Sequence, residues 1–206
     1  STFIEQQRYL MLLDGLKNTI IITLGALLIG IVLGTAVAVI KFLAEEKPAL
    51  KPLAWLCNVY VTVVRGVPVV VLLLIFYFVI LRSADGIVTG IVAFGINSGA
   101  YMAEIIRGGI NAVDGGQTEA ARSLGFNRMA AMRFVVLPQA VKNILPAIGN
   151  EMIALLKETA VAGYVAVQDL TRAANLIRNN TYDALNPLLA TAIVYLTMVV
   201  LLTALL

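Results

Sequence analysis

Histidine is absent from the chain, and cysteine occurs once, as Cys57. The first absence removes imidazole bases and imidazole metal ligands. The second removes any intrachain disulfide and any thiolate zinc cluster. Charge is scarce as well: 13% of the 206 residues are Asp, Glu, Lys or Arg, against about 25% in ordinary soluble domains. The phosphate-cradling pattern GxxxxGK[ST] is missing, which excludes that route to ATP. Neither a GxSxG elbow nor an HExxH pair occurs. The pI near 9.1 does not point to nucleic acid, because no basic block with interleaved aromatics lies outside the apolar runs. The first residues, STFIEQQRY, mix their charges and precede no small-residue cleavage site, so a signal peptide is not expected. Starting at Ser1 and stopping inside an apolar run at Leu206, the chain is expected to lack both native ends.

What the chain has is apolar length. It is 60% hydrophobic with a mean hydropathy of +0.92. Runs near 20 apolar residues recur, each long enough to cross a hydrocarbon layer of about 30 Å. They are continuous rather than alternating, which excludes a transmembrane β-barrel. The expected fold class is therefore all-α: one membrane domain over 1–206 with about five transmembrane helices, at 19–40, 67–81, 86–106, 139–158 and 187–206. Residues up to about Asn18 are amphipathic and are expected at the membrane surface, with Leu10, Leu12, Leu13 and Leu16 toward lipid. Residues 42–54 carry charges and two prolines and are expected to form a loop, followed by a shallow segment from Trp55 to Val64. An arginine in mid-span costs a few kcal/mol. Arg65 is therefore placed near the interface, with pairing to a bundle carboxylate as the alternative. Arg82-Ser83-Ala84-Asp85 reads as a tight turn, and residues 159–186 as short helices and loops outside the bilayer. Gly30-xxx-Gly34 in the first span, and Gly86, Gly90, Gly95 and Gly99 in the third, allow close helix approach. Alternation puts 42–66, 107–142 and the C-terminus on one side, which together with Lys41 at the end of the first span holds nine of the 15 Lys/Arg and makes that side cytoplasmic.

Polar side chains inside spans are the candidate binding residues, because intramembrane ionisable groups usually mark a transport pathway. Asn97, Ser98 and Glu104 fall in the third span, and Asn97 and Glu104, seven apart, share a face. The fourth span carries Asn150, Glu151, Lys157 and Glu158, together with Pro146, which is expected to kink it. Glu151 and Glu158 share a face, and Asn150 lies at its edge. A free amino acid carries both an ammonium and a carboxylate. Glu104, Glu151 and Glu158 supply acceptors, Lys157, Asn97 and Asn150 supply donors, and Ser98 can act as either. The competing role for Lys157 and Glu158 is an ion pair that holds the bundle. Acid–base catalysis is disfavoured, since no imidazole is present to activate a nucleophile.

The long polar interruption from Gly115 to Gly149 holds two short helical segments. Thr118 is a suitable N-cap, Glu119 suits the positive end of a helix, and Gly125 is placed to end the segment in a left-handed conformation. Asn127 then caps a second helix, expected to stop before Pro138. The first helix, about 118–125, is roughly 10 Å long and marginal alone, so it must dock on something.

Glu119-Ala120-Ala121, Gly125 and Val136-Leu137-Pro138 resemble the EAA loop of bacterial ABC importer permeases. RGVP (Arg65 to Pro68), YMAEIIRGGI (Tyr101 to Ile110), LPQAV (Leu137 to Val141) and GNEMIALLKET (Gly149 to Thr159) are similar to the polar amino acid uptake branch of that family, which serves histidine, arginine, glutamine and glutamate. The likeness covers roughly Asp14 to the C-terminus. It implies a type I importer permease fold in the bacterial inner membrane and a second permease subunit, identical or related. It also implies two cytoplasmic ATPase subunits that bind ATP and Mg, and an extracytoplasmic solute-binding protein. Gly116, Thr118, Glu119, Ala120, Ala121, Arg122, Leu124 and Gly125 would form the helix that docks on the ATPase. No cofactor is expected in this chain itself, and no enzymatic activity. The rival function is an ion-coupled amino acid carrier or channel that works without ATP.

Overall fold

The computed structural model describes Phe3 and residues 7–206. Residues 1, 2 and 4–6 of the expected surface segment lie outside the described residues. From Arg8 the chain forms one helix, α1 (Arg8–Ala44), of 37 residues. The expected division near Asn18 is absent. At 1.5 Å per residue α1 is about 55 Å long, well beyond the hydrocarbon thickness. Its N-terminal third stays ordered because another segment docks on it. Asn18 donates to the Gln168 carbonyl at 2.9 Å, and the Thr19 hydroxyl accepts from the Leu170 N–H at 3.2 Å.

After a 3₁₀ turn at Pro48–Leu50, α2 (Lys51–Gly66) begins four residues earlier than expected, with Pro52 accommodated in its first turn. The loop expected over 42–54 is correspondingly short. Val67, preceding a proline, is extended, and α3 (Val69–Ile75) follows, continued by a π-helical turn over Phe76–Ile80. The two arms meet at 109°. They cannot both stand along the membrane normal. Arg82–Asp85 is a turn, and Asp85 caps α4 (Gly86–Asn111) by accepting from the Ile87 N–H at 2.8 Å. Helix α4 runs five residues beyond the expected end of the third span.

Helices α1 and α4 pack along their length. A Cβ added to Gly30 would lie 2.6 Å from the Ser98 hydroxyl oxygen, so only glycine permits this approach. The core is built from Ile22 and Ala26 of α1, Leu73 of α3 and Phe94 of α4, together with Leu155 of α7 (Leu137–Glu158). Beyond α7 come a 3₁₀ segment (Thr159–Val165), α8 (Leu170–Thr181) and α9 (Leu185–Leu205). Asp169 is fully buried and caps α8 through the Thr171 and Arg172 N–H groups. Burial pushes its carboxyl above the ordinary range, while those two N–H donors act in the opposite direction.

Among the described residues, three helices are long and apolar enough to cross a membrane: α1, α4 and α9. The bent α2–α3 pair adds a fourth only if its two arms count together as one broken span. Helix α7 has the length, 22 residues, but is not among them.

Candidate functional site

The polar interruption forms α5 (Gly115–Ser123) and α6 (Arg128–Ala131), each with an identifiable cap. Asp114, rather than Thr118, caps α5: its side chain accepts from the Gly116 N–H at 2.8 Å. Aspartate caps at least as well as threonine, so the helix starts three residues early and takes Gly115 and Gly116 into its first turn. Gly125 does close it, with φ of 88°. The Phe126 N–H reaches the Ala121 carbonyl at 3.1 Å and the Gly125 N–H reaches that of Arg122 at 3.0 Å, the paired bonds of a Schellman motif. Asn127 caps α6 through the Ala130 N–H.

Pro138 does not end the second helix. A π-helical turn at Met132–Val136 carries the chain from α6 into α7. That wide turn leaves the proline ring room against the carbonyl four residues back, and the Gln139 side chain donates to the Val135 carbonyl at 2.9 Å. The α5–α6 unit is tied to α1 by Arg128, which pairs with Glu45 and Glu46 and lies 4.7 Å over the Phe42 ring. Of α5, Ala121 is buried, Thr118 is half-buried, and Gly116, Glu119, Ala120 and Arg122 are exposed. Leu124 is 81% exposed, and Phe126 and Met129 add two more uncovered apolar side chains close by. A helix end so anchored on one side and so uncovered on the other has the form of a docking surface.

The polar residues expected in the third and fourth spans separate into two groups. In the first, two consecutive residues of α4 reach two carboxylates of α7. Ser98 donates to Glu151 at 2.9 Å, and Asn97 donates to Glu158 at 3.3 Å. Both donors are buried, and both carboxylates are partly exposed. Asn150 and Lys157 lie beside these carboxylates on α7 and are exposed. Asn143, which sequence inspection passed over, is exposed too and falls seven residues before Asn150. Two stripes result, Asn143–Asn150–Lys157 and Glu151–Glu158, each with the seven-residue repeat of one helix face. Pro146 lies within α7, and it too is exposed on this side.

Glu104 belongs to the second group. Seven residues from Asn97, it is about 10 Å further along α4. Its carboxylate takes two bonds from Arg107, at 2.7 and 3.2 Å, and lies 3.6 Å from Arg65. Arg65 is thus both partly exposed and paired with a bundle carboxylate, and its guanidinium lies 5.2 Å from the Tyr101 ring centroid. A further hydrogen bond had no sequence signal: the hydroxyl of half-buried Tyr60 donates to the Ile96 carbonyl at 2.6 Å and joins α2 to α4.

The described residues thus combine long apolar helices with an uncovered polar face on α7 and a short capped helix, α5. The family model for the binding-protein-dependent transport system inner membrane component matches residues 30–206. The chain is 38% identical over 196 residues to the arginine transport system permease protein ArtQ of Bacillus subtilis (strain 168), covering 93% of this chain and 87% of ArtQ. It is 37% identical over 193 residues to the probable glutamine ABC transporter permease protein GlnM of the same organism, covering 92% and 87%. The crystal structure of an amino acid ABC transporter with histidines superposes with a TM-score of 0.90 at 40% identity, covering 98% of this chain and 94% of that one. The MetNI methionine ABC transporter, in an inward-facing conformation, superposes with a TM-score of 0.80 at 22% identity, covering 95% and 92%, which shows the shared fold. The chain belongs to the binding-protein-dependent transport system inner membrane component family.

Proposed function

We propose that this chain is the transmembrane subunit of an ATP-driven importer for polar or charged amino acids in the bacterial inner membrane. The open double stripe on α7 carries the proposal. A membrane helix does not leave two asparagines, a lysine and two carboxylates uncovered toward lipid, so this face meets water, solute or a second permease subunit. With the second subunit, identical or related, opposite it, the stripe becomes one wall of the pathway. Glu151 and Glu158 accept from the solute ammonium; Asn150 and Lys157 donate to its carboxylate; Asn97 and Ser98 hold the two glutamates in place. Glu104 lies outside this wall.

The α5 surface, from Gly116 to Gly125, is the proposed docking helix for one of two cytoplasmic ATPase subunits, which bind ATP and Mg. Two observations support it: the anchoring of α5–α6 to α1 through Arg128, and the exposure of Leu124. An extracytoplasmic solute-binding protein delivers the amino acid at the opposite end. The test is solute-stimulated ATP hydrolysis by the reconstituted complex across a panel of amino acids. Gly125→Pro, incompatible with φ of 88°, is expected to abolish stimulation while the chain stays inserted. Uptake that persists without ATP or an ATPase partner would favour an ion-coupled carrier instead.

A further inference from the structure

Around Glu104, positive charge is in excess. One carboxylate faces three cations: Arg107, which satisfies it bidentately from outside the cavity, and Arg65, at 3.6 Å, and Lys41, which both line the cavity with Glu104. That cavity, about 420 Å³, is bounded by α1, α2 and α4, and Asn58 and Thr62 add further polar groups. No residue of α7 lines it, so it is separate from the proposed solute wall. Lys41 lies three residues from the end of α1 and Arg107 four from the end of α4, at the same end of the bundle.

Helix α2 shows what the cavity is beside. Cys57, Val61 and Val64 are buried against the bundle. Asn58, Thr62 and Arg65, at i, i+4 and i+7, form the polar stripe facing the cavity. Leu56, Val59 and Val63 form a third stripe, apolar and exposed. A helix that leaves its partner α3 at 109° with such a cross-section fits one lying in the membrane interface. A ligand in the cavity therefore meets cations at one end and an uncovered apolar flank beside it.

We propose that Lys41 and Arg65 bind the phosphate headgroup of an anionic lipid of the cytoplasmic leaflet, with its acyl chains along the apolar stripe of α2. Basic pockets between membrane helices on that side suit such headgroups. Arginine suits phosphate through its planar fork of donors. Glu104 is the counter-charge that limits affinity and keeps Arg107 in place.

The complex with its ATPase partner, in nanodiscs of phosphatidylglycerol and phosphatidylcholine, is solubilised gently, and retained lipid is counted by native mass spectrometry. Phosphatidylglycerol is expected to be enriched over its bulk share. Lys41→Gln and Arg65→Gln should each lower that enrichment about fivefold, the effect of one cation near the surface. Arg65→Lys should retain most of it, and Glu104→Gln should raise it. Lys51→Gln, a charge on α2 outside the cavity, should change nothing. Three results would overturn the proposal: no enrichment in the parent, an equal loss in Lys51→Gln, or complete displacement by millimolar inorganic phosphate, which would make it a site for free anions.

Discussion

Helices α7 and α9 are nearly equal in length, 22 and 21 residues, and differ in almost everything else. From Leu185 to Leu205, α9 carries no charged residue, and only Pro187 and Thr191 are buried. Most of its leucines, valines and isoleucines stand exposed, with Val194, Val199 and Leu202 half-buried, a surface stable only in lipid. Helix α7 carries Lys142, Asn143, Asn150, Glu151, Lys157 and Glu158, and most of them are uncovered as well. Exposure therefore means opposite things on the two helices. In the proposed importer it marks the lipid boundary on α9, and on α7 a face that meets water, solute or another subunit. The helix that fails as a simple span carries the candidate site.

The largest expected effect comes from exchanging these characters. Leu196→Lys, near the centre of α9, should cost about 2.5–3.5 kcal/mol of insertion, on the order of a hundredfold. Asn150→Lys on α7 should leave insertion like the parent's. Protease protection in membranes measures both, and equal losses would erase the contrast between the helices. Next is Glu151→Gln, which removes a charge and keeps the shape. Loss of a hydrogen bond to a charged group is worth about 1.5–3 kcal/mol, so solute affinity should fall roughly tenfold to a hundredfold with thermal stability unchanged. If Glu151 instead serves as a structural ion-pair member, stability falls by about 3–5 kcal/mol. The smallest effect is expected at one remove from the site. Gly30→Ala would press a methyl group onto Ser98, the residue that holds Glu151. Overpacking of this kind costs about 1–2 kcal/mol, and solute affinity should weaken with it. A stability loss with normal affinity would separate Ser98 from the site.

The same contrast explains what was legible in the sequence. The apolar runs of α1, α4 and α9 mark themselves, as do Gly125 and the Asn127 cap, because each depends on neighbouring residues only. The pairings Asn97–Glu158 and Ser98–Glu151 join residues 61 and 53 positions apart. Helical periodicity fixes which residues share a face, but not how far one helix is rotated against another. Glu104 therefore shares a face with Asn97 yet finds its partners in Arg107 and Arg65. The continuity of α1 through Asn18 was hidden because it rests on contacts from Gln168 and Leu170, far along the chain. Pro138 read as a stop, and the π turn before it removes the clash that would have made it one.

The central claim is that the uncovered stripe of α7 faces the solute pathway and the uncovered surface of α9 faces lipid. Because Cys57 is the only cysteine and is buried, a Cys57→Ala background allows single cysteines to report on each face. Asn143→Cys, Asn150→Cys and Lys157→Cys would be compared with Ile193→Cys, Leu196→Cys and Val200→Cys in the assembled complex. The probe is a charged, membrane-impermeant thiosulfonate, applied with and without a transported amino acid. The account predicts labelling at the α7 positions, slowed by the amino acid, and none at the α9 positions. Labelling of α9 at the same rate, or α7 positions that stay unmodified, would contradict it.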